Sequence, residues 1–188
     1  ACVRWAPRSS VSTVDEVPLA APLPLWEIPG WRERFGAVAG ITGRGPAAAP
    51  FDLGLWTERP VREVMERWRQ FRDFFAASPS AVMSHQVHGN RICWHRNAPA
   101  GWTIIQGADG HATAAPGHLL LVTVADCVPV YLLAPRQRAA ALLHAGWRGT
   151  AAGILARGAE ALLFHTGALA KHLVMHAGIG ICGRCYEV

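Results

Sequence analysis

Two histidines and a cysteine, His88, Cys127 and His144, stand where short apolar, strand-like runs give out. The ends of adjacent strands lie close in space, so these three side chains can converge. Two imidazoles and one thiolate make a zinc site with one position left open, which marks a catalytic rather than a structural ion. The plainer reading is a buried thiol and two hydrogen-bonded core histidines. His85 lies three residues before His88 and competes for the same role. Residues three apart on a strand face opposite sides, so only one of the two can easily point inward.

Other segments carry weaker signals. Gly146-Trp147-Arg148-Gly149-Thr150 leads into a helix, whose first free N–H groups attract anions. Arg148 can add a charge-assisted grip on phosphate. Gly178-Ile179-Gly180 lets backbone approach a ligand, or is a plain turn. Cys182-Gly-Arg-Cys185 is a lone C-x-x-C with no second pair to complete a zinc ribbon, and it is read as incidental. The H-x-E and P-C-x-x-C pattern of zinc deaminases is absent, and so are the H-x-H pairs of a multicopper oxidase.

The elements that must position these residues are legible in part. Pro60 opens a helix along which Val64, Trp68 and Phe71 recur at helical spacing with Val61, Met65 and Phe75. Gly89-Asn90 is a turn between two strand-like runs, and Trp102 to Gln106 is a further strand. Asp109-Gly110 opens a loop that ends at Pro116-Gly117. Leu119 to Ala125 and Val128 to Leu133 are unbroken apolar runs, expected as strands buried on both faces. Ala139 to Leu143 and Leu173 to His176 complete the strands; the former runs directly into His144 to Thr150, and a helix then continues to about Phe164. This mixture predicts an α+β fold, a layered α-β sandwich with a mixed sheet. Residues 1–35 read as an irregular arm anchored by Trp26 and Ile28, and residues 36–188 as the catalytic domain.

Composition narrows the setting. The chain has 188 residues and a net charge of +5, with Lys171 its single lysine. Arginine is scattered, and its densest cluster, Arg59 to Arg72, is interleaved with Glu63, Glu66 and Asp73 as on a solvated helix face. Neither nucleic acid nor a membrane is expected as a partner. Five cysteines in no regular framework argue against a disulfide scaffold and for a reducing, cytoplasmic setting.

Four motifs occur in order: Gln86-Val-His-Gly89, Ala125-Asp-Cys-Val-Pro-Val130, His144-Ala-Gly-Trp-Arg-Gly149, and Ile179-Gly180 with Cys185-Tyr-Glu-Val188. Together they resemble the laccase-domain family, labelled multicopper polyphenol oxidase and also peptidoglycan editing factor. Its members have been described as purine nucleoside phosphorylases with adenosine deaminase and methylthioadenosine phosphorylase activity. The resemblance implies zinc held by His88, Cys127 and His144, settling the choice against His85, with copper as the less favoured ion. It implies a fold similar to cysteine hydrolases of the deamidating-toxin type. Thr42-Gly-Arg-Gly45 is weakly similar to an arginine-containing stretch of the family, which makes Arg44, with Arg148, a candidate to bind substrate or phosphate. Asp109 matches an acidic residue of the family.

The expected function is therefore zinc-dependent phosphorolysis of adenosine, inosine or methylthioadenosine, and deamination of adenosine. Cys127, His144 and Asp126 are the catalytic candidates, Asp126 to orient a ligand or shuttle a proton. The expected partners are a purine nucleoside and phosphate, bound by a monomer or small homo-oligomer. A copper phenol oxidase is one alternative. The other is a hydrolase of peptidoglycan precursors, with Cys127 as nucleophile and His144 as base. Family members continue beyond Tyr-Glu-Val, so the domain is expected to be incomplete at its C-terminal end.

Overall fold

A computed structural model of the chain describes residues 13–47, 50–97 and 99–185. Residues 1–12 of the arm, Cys2 among them, and the final Tyr-Glu-Val of the fourth motif lie outside the described residues.

Over the described residues the fold is mixed α+β, with three sheets and few helices. The central sheet has five strands in the order β11 (Val174–Ala177), β9 (Val128–Ala134), β10 (Ala139–Ala145), β7 (Gly110–Thr113) and β5 (Ile92–His95). Its first three pairings are antiparallel and β7 runs parallel to β5. A second sheet, all parallel, has the order β6 (Gly101–Gln106), β4 (Ser80–His85), β8 (His118–Leu120). A small antiparallel sheet joins β1 (Val17–Pro18), β2 (Leu25–Glu27) and β3 (Gly40–Thr42).

The unbroken apolar run of β9 is explained by burial on both faces. Val130 and Leu132 pack with Leu143, Ile154 and Leu162 against helix α4 (Ile154–Thr166). The alternate residues, Tyr131 and Leu133, meet Ile28 and Trp31 on the opposite face. Burying a side chain of this size is worth about 2 kcal/mol. The third cluster sits between the second sheet and helix α2 (Val61–Phe74), where Val64, Trp68 and Phe71 cover Met83.

Four expectations need correction. The arm is not irregular over its described part: β1, β2 and the short helix α1 (Trp31–Phe35) lie within it. Glu16 bonds His176, and Ile28 and Trp31 pack on Tyr131 and Leu133, so the arm is tied to the central sheet. The segment after Asp109 is the fully buried strand β7 rather than a loop. A side chain at Gly110 would meet Ile92 at 2.5 Å and Leu143 at 2.9 Å, so this glycine serves close packing, not a turn. The strand expected over Leu119–Ala125 ends at Leu120. Beyond it the Gln86 carboxamide takes the place of a neighbouring strand, accepting from the Thr123 N–H and donating to its carbonyl, both at 2.8 Å. Lastly, β4 and β5 flank Gly89-Asn90 but belong to different sheets, so this segment crosses between sheets. No helix among the described residues is long and apolar enough to cross a membrane.

A polar seam joins the two larger sheets. The Ser84 hydroxyl donates to the Ala108 carbonyl at 2.6 Å, so His111 Nε2 must donate to Ser84 Oγ, at 3.2 Å. His111 Nδ1 is then free to accept from His95 Nε2 at 3.0 Å. A second proton on His111 would face that donor. Burial first, and then the nearby His95 and His118, push His111 from 6.5 down to about 3. Between those values the unfolded chain binds a proton that the folded protein refuses, so stability falls as pH drops below 6.5. This one group sets a slope of up to about 1.4 kcal/mol per pH unit. Urea midpoints measured at neutral and at mildly acidic pH should therefore decline, and His111→Gln should flatten the decline. Equal slopes in the two proteins would refute the assignment.

Candidate metal centre

The three expected ligands meet where the connection leaving β4, the segment entering β9 and the end of β10 come together. The ligand atoms of His88, Cys127 and His144 all lie within 4.8 Å of one another, the one such group found among the described residues. His144 is buried, Cys127 half-buried and His88 exposed to the cleft. His85 turns elsewhere, its ring centroid 4.8 Å from that of Trp56. Cys127 lies just ahead of β9, not at the end of a preceding strand.

One carboxylate arranges the trio. Asp109 is fully buried. Its Oδ1 accepts from the His88 N–H at 2.8 Å and pairs with His144 Nδ1 at 2.9 Å. Its Oδ2 accepts from the N–H groups of Gly89 at 2.8 Å and Val87 at 3.3 Å. The left-handed backbone of His88, at φ 59°, lets three successive N–H groups converge on one anion. Burial works to raise the Asp109 carboxyl, but the bonds from His144 and from Gly89, Val87 and His88 prevail and hold it below the usual range. Asp109 also fixes the His144 tautomer. With Nδ1–H directed at the carboxylate, Nε2 is left to ligate.

The donor set fits a metal ion. Burial lowers His144, against the pull of Asp109, and keeps it in the neutral form that binds metal. Burial raises the Cys127 thiol, and the carboxylates of Asp126 and Asp109 raise it further. A thiol so placed needs a cation to become thiolate. The space is also reserved: a side chain at Gly146 would meet Cys127 Sγ at 3.0 Å and His88 Cδ2 at 3.2 Å.

The trio opens onto a wide cleft that Arg44, Asp126, Trp56, His85 and Gln86 also line. Asp126 is exposed on its wall, so the carboxylate that orients a ligand is Asp109. Arg44 reaches the cleft from the loop after β3. Arg148 does not line it; its guanidinium stacks 5.1 Å above the exposed Trp147 ring. The expected anion-binding helix start is weak there, because α3 (Trp147–Ala151) has only five residues. The Cys182 and Cys185 thiols, 3.0 Å apart, are exposed beyond the cleft wall formed by Ile179 and Gly180.

Fold and ligand trio together define a mixed α+β domain that can hold one metal ion at the seam of two sheets. The chain belongs to the family described as multi-copper polyphenol oxidoreductase laccase, whose model matches residues 36–188. It is 34% identical over 169 residues to a purine nucleoside phosphorylase of Deinococcus radiodurans, covering 88% of this chain and 64% of that protein. It is 37% identical over 131 residues to the purine nucleoside phosphorylase YlmD of Geobacillus stearothermophilus, covering 63% of this chain and 48% of that protein. The crystal structure of that YlmD superposes with a TM-score of 0.80 at 27% identity, over 91% of this chain and 67% of that one. YfiH of Bacillus licheniformis gives 0.77 at 25% identity, over 89% and 66%. The chain thus spans about half to two thirds of the length of these curated relatives.

Two substitutions test the geometry. Asp109→Asn removes the charge that holds the three N–H groups and the tautomer, and should weaken zinc binding about 10- to 100-fold in a chelator competition. Gly146→Ala places a methyl against the thiolate and should lower affinity with little change in circular dichroism. Wild-type zinc affinity in both variants would show that neither feature shapes the site.

Proposed function

We propose that the protein is a zinc-dependent purine nucleoside phosphorylase whose ion is held by His88, Cys127 and His144. The observation that carries this reading is the converged trio with its buried orienting carboxylate, in a chain related to proteins named purine nucleoside phosphorylase. Bound there, zinc would supply a Lewis acid to the reacting centre.

The protein's own groups divide the remaining work. Arg44 is the candidate to hold phosphate in the cleft through charge-assisted hydrogen bonds. Arg148, stacked on Trp147, is a candidate only for drawing phosphate toward the surface. A phosphate oxygen bonds to C1′ of the ribose while the C1′–N9 bond breaks, and the departing purine takes up a proton. Asp126, exposed beside Cys127, is the candidate to relay that proton from solvent. Adenosine would enter the same cleft for deamination, with water displacing ammonia at C6. The Cys/His hydrolase reading is weakened because a nucleophilic thiol needs a lowered pKa, whereas burial raises that of Cys127. A copper phenol oxidase, as the family description suggests, is separated from this reading by the metal content of the purified protein.

Inosine incubated with the zinc-loaded protein should give hypoxanthine only when phosphate is present. Chelation or His144→Ala should reduce the rate on the order of a hundredfold or more. Hypoxanthine release without phosphate, or no turnover by the folded, zinc-loaded protein, would overturn the proposal.

A further inference from the structure

Trp56 is an expensive residue to leave where it stands. Its side chain is 51% exposed, yet it lies inside the cleft with the metal ligands. Apolar rings held open to water in a concave site mark places where something binds. The loop beneath it is built to keep it there. Asp52 accepts from the Gly54 N–H at 2.8 Å and pairs with Arg59 at 3.6 Å, and Thr57 donates to the Gly54 carbonyl at 3.1 Å. Trp68 Nε1 donates to the Leu53 carbonyl at 2.9 Å, and Arg67 to the Asp52 carbonyl at 3.3 Å, so the loop is pinned to α2 at Asp52 and Leu53. A side chain at Gly54 would meet Thr57 at 2.5 Å, which leaves this tight turn little room to change.

One side of the indole is already backed. The His85 ring lies 4.8 Å from it, tilted by 40°, and leaves indole surface open to the cleft. His85 stands three residues before His88, and Trp56, His85 and the trio all line the same cleft. The indole and the metal ligands therefore face one continuous space.

We infer that Trp56 is the stacking platform for the purine base, with His85 as the positioning residue behind it; this rests on the nucleoside reading above. Stacking engages the flat face of the base and is indifferent to the group at C6. It accounts for one cleft taking both 6-oxo and 6-amino purines, and it favours the larger ring system over a pyrimidine. Specificity for purines then comes from ring area, with the metal trio elsewhere in the same cleft.

The test is calorimetric titration of the zinc-loaded protein with inosine, adenosine and ribose 5-phosphate, in the wild type and in Trp56→Ala and Trp56→Phe. Zinc content and circular dichroism establish that each variant is folded. Trp56→Ala should weaken both nucleosides by the same factor, on the order of tenfold, and leave ribose 5-phosphate unchanged. Trp56→Phe should retain binding within about threefold. As a readout independent of Trp56→Ala folding, inosine should quench wild-type tryptophan fluorescence, and this quench should diminish in Trp56→Phe. Equal inosine affinity in wild type and Trp56→Ala, or a quench undiminished in Trp56→Phe, would overturn the platform and leave the nucleoside reading standing. No inosine binding by the wild type would overturn both.

Discussion

The buried carboxylate of Asp109 is the constraint around which the rest of the site is arranged. A charge removed from water is tolerated only when its lone pairs are satisfied. Here four donors do so: the N–H groups of Val87, His88 and Gly89, and the His144 ring. The same four bonds tie the connection leaving β4 to the end of β10. They hold His88 in a backbone conformation that a residue with a side chain seldom adopts. The cost of that conformation and the cost of the buried charge offset each other, because each supplies what the other needs. Two of the three ligands are thereby aimed before any ion arrives.

Close approach does the remaining positioning. Gly146 leaves room beside the thiol, and at Gly149 a side chain would run into the Gly89 carbonyl at 2.6 Å. Gly158 lets α4 settle on Leu143 and Leu132. The Gln86 side chain acts as a strand of one residue and secures the segment that leads toward Cys127. Helix α4, the central sheet and the arm thus form layers whose edges meet at one seam.

How much of this the sequence made legible depended on what each segment buries. Strands β9 and β10 and helix α2 were readable because their apolar pattern reports their surroundings directly. Strand β7 was not, since Gly110-His-Ala-Thr113 carries little apolar signal and Asp109-Gly110 has the look of a turn. That misreading also hid the importance of Asp109, whose partners lie far along the chain. The end of β8 was overestimated because nothing in a local pattern shows a distant glutamine standing in for a strand. The ligand trio was placed by motif resemblance. Spacing alone left His85 and His88 as rivals, and the structure separates them by turning His85 toward Trp56. The exposed position of Asp126, one residue beyond the run read as buried strand, follows from the early end of β8.

Each ligand of the trio comes from a different stretch of chain: the crossing between sheets, the approach to β9, and the last turn of strand before α3. An ion shared among them works as a removable staple. It closes loops whose entropy the folding of the sheets has already spent, so its affinity adds almost directly to the cohesion of the seam. Without an ion, a molecule built this way would open more often along that seam and be exposed to proteases in proportion, so metal bound there would lengthen the lifetime of the fold.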